Sequence, residues 1–154
     1  MAISNAPTNT QLNAMQFGYL SGRDLTAWCS YSVLISQYQK DPDQFENALN
    51  YGCQIAYREV TNMFLTKYNV PLELNAISGK RELAFVKFVA ITALKNILGN
   101  LAGEGTVTEA NFKWHDDMLN KIREGIENFA LQPPAGPCYA SDAKLYPQNF
   151  NWLG

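Results

Sequence analysis

The chain has one histidine, His115, in the run His115-Asp116-Asp117. An adjacent His-Asp pair resembles the metal-binding pair of phosphohydrolases. That site needs further histidines, and the sequence has none. A lone histidine on a helix is expected to be a packed or half-exposed structural residue; the functional alternative is an enzyme of another type using His115 with Asp116. Cys29, Cys53 and Cys138 are odd in number, have no short-range pairing and lack zinc-ligand spacing. They read as reduced thiols of a protein made without export. The glycines at 99, 103 and 105 superficially resemble a phosphate loop. They follow a helix rather than a strand and lack the Gly-Lys-Ser/Thr ending, so they read as a connector. Asp41 with Asp43, and Asp116 with Asp117, lack the alternating oxygen ligands of a calcium loop. Acid–base work by a carboxylate pair needs one buried member with a raised pKa. Glu59, at the edge of a helix stripe, comes nearest; with Arg58 it reads as a surface or subunit-contact charge. No catalytic, metal or cofactor-binding constellation results, and the expectation is a protein that is not an enzyme.

The elements that carry these residues are helical. Asp41-Pro42-Asp43 is a helix start, because Asp caps free N–H groups and Pro is tolerated in the first turn. Phe45, Ala48/Leu49, Gly52, Ile55/Ala56, Val60 and Met63/Phe64 then recur at three- and four-residue spacing, which predicts a helix to about Tyr68. Asn69-Val70-Pro71 ends it. Arg81 to Gly99 predicts a second long helix, apolar on nearly every side and therefore central to the fold. Thr108 caps a third, with Phe112, His115, Leu119, Ile122, Ile126 and Phe129 as its inner stripe and the run from Gln132 to Pro137 as its end. Two short helices are expected earlier, one opening near Asp24 and one over Ser32 to Tyr38. The fold class is all-α, a small bundle of three long and one or two short helices with an extended N-terminal arm and C-terminal tail. The divisions are 1–22 for the arm, 23–131 for the helical domain and 132–154 for the tail.

Charge follows the same divisions. Of the 12 Lys and Arg and 14 Asp and Glu, residues 1–22 carry none and 132–154 carry only Asp142 and Lys144. The net charge of −2, with no basic run longer than Lys80-Arg81, argues against holding nucleic acid through its phosphates. Lys87 and Lys95 break the most apolar stretch, so no membrane span is expected, and the first 22 residues lack the positive segment of a secretory signal. Interface cores are poor in charge and rich in aromatics, and both ends have that composition. Phe17 and Tyr19 in the arm, and Tyr139, Tyr146, Phe150 and Trp152 in the tail, are the candidate protein-interaction anchors. The ends either fold back over their own domain or lie on neighbouring subunits or partners, and the second is the expectation taken forward.

Asp24-Leu25 opens a short helix; a long helix then ends in Lys67-Tyr68-Asn69-Val70-Pro71-Leu72. A very apolar helix (Leu83 to Leu98) and a last helix with Ala110, Trp114, Leu119 and Ile122 before Gly125 follow. This order resembles the small helical head–tail connector, or adaptor, proteins of tailed bacteriophages and prophages, over about residues 23–131. The resemblance implies a structural virion protein that forms a ring, usually of twelve copies, beneath the portal protein. Such a ring extends the DNA channel toward the tail or further connector proteins, and DNA passes through it without sequence-specific binding. It implies a place at the head–tail junction of the virion, host cytoplasm during assembly, and no cofactor. The long arm and the aromatic tail depart from the family's pattern. The rival expectation is a free-standing helical protein–protein binding module without catalytic activity.

Overall fold

The structure, a computed structural model, describes residues 6–65, 83–99 and 105–129. Six helices and one two-stranded hairpin make up its elements there. They are α1 (Asn9–Ala14), β1 (Gln16–Phe17), β2 (Leu20–Ser21), α2 (Gly22–Thr26), α3 (Tyr31–Lys40), α4 (Phe45–Asn62), α5 (Leu83–Leu98) and α6 (Glu109–Arg123). The class is all-α, with three long helices as expected.

Residues 9–21 differ from the extended arm read from the sequence. The Thr8 hydroxyl accepts from the Gln11 N–H at 3.1 Å, and the Gln11 amide oxygen accepts from the Thr8 N–H at 2.9 Å. This reciprocal cap starts α1 without any acidic residue or long apolar stripe. Gly18, with φ +78°, takes the first central position of a two-residue hairpin loop and pairs Phe17 with Leu20. Ser21 and Asp24 then form a second reciprocal cap, which starts α2 at Gly22 rather than at Asp24. A Cβ on Gly22 would stand 1.7 Å from the Leu12 carbonyl oxygen, so α1 and α2 meet backbone to backbone. Leu12, Phe17, Leu20 and Leu25 are all buried by this arrangement.

The centre is α4 against α5. Phe45, Leu49, Gly52, Cys53, Ala56 and Val60 give α4 its buried face, as the three- and four-residue spacing predicts. A short 3-10 turn, Pro42–Gln44, leads into it. The helix ends at Asn62 and not near Tyr68; Met63 to Leu65 are a turn, and 66–82 lie outside the described residues. On α5, Phe85, Val86, Phe88, Val89, Ala90, Ile91, Ala93 and Leu94 are buried, which covers more than one side of the cylinder. Gly52 allows the two helices to close, since a Cβ there would meet the Ile97 side chain at 2.6 Å.

The last helix is shorter than its apolar stripe suggests. Gly125, at φ +77°, donates to the Ile122 carbonyl at 3.0 Å, and the Ile126 N–H reaches Lys121 at 2.8 Å. That glycine cap stops α6 at Arg123 and leaves Ile126 exposed. Phe129 still reaches the core, but by a loop. Its backbone adopts φ +51°, a cost of about 1–2 kcal/mol, and its ring packs 5.4–6.2 Å from Phe88, Phe85 and Phe64. Burying a phenyl ring, at about 1.5–3 kcal/mol, offsets that strain.

Candidate functional site

The polar groups of the described fold converge where α5 meets α6. α5 offers Lys87, Thr92 and Lys95 there, three of its four polar residues; α6 offers Trp114, His115 and Asp116. His115 is the one buried residue of α6. Its ring stacks on Phe88 with centroids 4.4 Å apart and planes 10° apart. Nε2 lies 2.8 Å from Thr92 Oγ1, and Nδ1 lies 3.1 Å from Lys95 Nζ. The tautomer follows from the partners. An ammonium can only donate, so Nδ1 accepts, and Nε2–H donates to Thr92. The Thr92 hydroxyl in turn donates to the Phe88 carbonyl at 2.8 Å. Lys95 completes the set with a 3.3 Å ion pair to the exposed Asp116.

These surroundings keep the imidazole neutral. Burial, with Lys95 as the second cause and against the pull of Asp116, lowers its pKa to about 4. Two unit charges at such a separation repel by roughly 4–5 kcal/mol at an effective dielectric near 20. An imidazolium stacked over Phe88 recovers only about 0.5–2 kcal/mol, so the neutral form wins. A ring bonded at both nitrogens and buried among aromatics is in no position to exchange protons with a substrate near neutrality. Of the packed and half-exposed arrangements open to a structural histidine, this is the packed one.

A second cation sits close by. Lys87 Nζ lies 4.6 Å from the Trp28 ring and 4.1 Å from the Trp114 ring, and burial between them lowers its pKa. This cage ties the turn after α2, α5 and α6 together through one ammonium. The two thiols among the described residues, Cys29 and Cys53, are inert, while Cys138 lies outside them. Burial pushes Cys29 up to about 11, and burial together with Asp24 pushes Cys53 up to about 12; the reactive thiolate is scarce at such values. No cluster of three metal-ligating side chains stands among the described residues. No described helix is long and apolar enough to cross a membrane.

Of the six candidate anchors, the structure brings two together. Phe17 ends β1, Tyr19 is the second residue of the hairpin turn, and they are 2% and 8% exposed. Tyr19 stacks on Tyr57 of α4 at 4.8 Å and meets Phe85 edge-on at 5.7 Å. They therefore pack within their own domain, under a shallow groove of about 420 Å³ rimmed by Gln54, Arg58 and Thr61. In the described fold both side chains are covered by the chain's own residues. Tyr139, Tyr146, Phe150 and Trp152 lie outside the described residues. Glu59 and Arg58 are exposed on α4. In the sequence, Lys87 and Lys95 read only as interruptions of an apolar run. Their offset of eight residues, with Thr92 between, is the signal that one flank of the buried helix is polar. No family model, no curated protein and no solved structure matches the chain.

Proposed function

We propose that this chain is a structural subunit of a tailed-bacteriophage virion, a head–tail connector that assembles as a ring beneath the portal and extends the DNA channel. One observation carries the reading: the order and character of the helices. Short capped helices lead into the amphipathic α4; α5 follows, enclosed on most of its circumference, and the half-buried α6 closes the set. That is the order on which the resemblance to connector proteins rests. The polar cluster supports a role without catalysis, because packing engages both nitrogens of the one histidine. The portal and tail components are the partners in this reading, and DNA passes without a basic track to hold it.

With Phe17 and Tyr19 engaged at home, assembly falls to the C-terminal segment and to the outer faces of the helices. Deletion of residues 132–154 tests this. The truncated chain keeps its helical circular dichroism and melts cooperatively, yet fails to form rings or join its portal. A truncated protein that still closes complete rings and joins the portal normally contradicts the reading.

A further inference from the structure

α6 is held against α5 by a side chain that can change its charge. None of its aliphatic side chains is buried; Met118, Leu119 and Ile122 are only half covered, and the imidazole of His115 is the part fully enclosed. We propose that His115 is an acid-sensitive latch, whose protonation loosens α6 from α5 while the α4–α5 core stays in place.

The geometry leaves the ring nowhere to put a second proton. Nδ1 is the acceptor for the Lys95 ammonium at 3.1 Å. Protonating it turns a hydrogen bond into two opposed donors and sets two cations side by side. Thr92 cannot relieve this, because its hydroxyl proton is already given to the Phe88 carbonyl. The charged groups around the ring are few. From α5 come Lys95, which opposes imidazolium, and Lys87, which stands over Trp114 and Trp28. From α6 comes Asp116, the group that favours imidazolium, 4.0 Å from Nδ1. It is exposed and already shared with Lys95 at 3.3 Å, so its help is divided and screened. The segment after α6 lays Phe129 on Phe88, and its Glu127 carboxylate is engaged by the Phe129 N–H at 2.7 Å. Swinging outward is the escape left to a charged ring, and it breaks the stack on Phe88 and the bond to Thr92 that join α6 to α5. The loop before α6 stays tethered, since the Ser30 N–H bonds the Gly105 carbonyl at 2.6 Å. Burial and Lys95 set the ring's pKa at about 4, so the latch opens in acid and holds at neutrality.

Because the chain has a single histidine, its imidazole resonances in NMR spectra of the full chain belong to His115 alone. The titration runs from neutrality into acid, with amide exchange measured alongside and corrected for intrinsic rates. The ring stays neutral well below its ordinary value, and α6 amides such as that of Leu119 lose protection at least tenfold as it protonates. α5 amides such as that of Ile91 keep theirs. In His115→Phe, which preserves the stack and removes the titration, α6 stays protected over the same range. Should that variant not fold, Lys95→Gln serves instead: ring titration and α6 loosening move upward together by about one pH unit. Protonation of His115 with α6 still protected overturns the proposal. So does simultaneous loss of α5 protection, and so does equal loosening in His115→Phe, which would assign the effect to Asp116 and other carboxylates.

Discussion

The two faces of α5 are built differently. Toward α4 the contact is dry, made of Phe85, Val89, Leu49, Val60 and the close approach at Gly52. Toward α6 it runs through an imidazole, a hydroxyl and two ammonium groups laid against aromatic rings. Apolar burial is insensitive to pH and has no preferred direction. A hydrogen-bonded seam depends on each member keeping its protonation state. One helix thus has a permanent side and a conditional side.

Perturbations should separate the two. Phe85→Ala, which opens a cavity at the junction of Tyr19, Phe64 and Phe129, is expected to cost about 4 kcal/mol in denaturant unfolding. Gly22→Ala tests whether the first helices belong to the permanent side. Its methyl collides with the Leu12 carbonyl, and a loss of about 3 kcal/mol is expected; a neutral result would return residues 9–21 to the status of a detachable arm. Acid tests the other side. A histidine lowered from 6.5 to about 4 on folding binds its proton more weakly in the native state. Stability is therefore complete above about pH 6.5 and is lost as pH falls toward 4. Between pH 7 and pH 5 the loss is about 2 kcal/mol, and it is absent in His115→Phe. Lys87→Met removes the ammonium between Trp28 and Trp114 and should cost only about 0.5–1 kcal/mol. A loss as large as that of Phe85→Ala would mean that the seam is not the weaker side.

The permanent side was the legible one. Three- and four-residue spacing marks the buried face of α4 in the sequence, and the all-round apolarity of Leu83 to Leu98 marks a central helix, because burial alone decides those residues. What escaped notice depends on local geometry. Thr8 with Gln11, and Gly18 in its turn, fold residues that composition alone makes look like a tail. Gly125 stops α6 where the apolar stripe of Ile126 and Phe129 appears to continue. Phe129 belongs to the core, as its type suggests, but reaches it through a left-handed residue that helical periodicity does not describe. The site was half legible. A lone histidine reads as structural, packed or half-exposed, and which of the two it is depends on Lys95 and Thr92, which are twenty or more positions away and become its partners only when α5 and α6 dock. Phe17 and Tyr19 are bulky and uncharged in the sequence, and in the fold Tyr19 packs on Tyr57 of α4 and Phe85 of α5.

The proposed connector role requires above all that the chain assemble. Electron microscopy in negative stain, with mass photometry, applied to the full chain alone and with the portal protein of the same genome, tests this most directly. The account predicts closed rings of uniform copy number that seat on the portal. A chain that stays monomeric well above micromolar concentration with portal present would contradict it and favour a free-standing binding module.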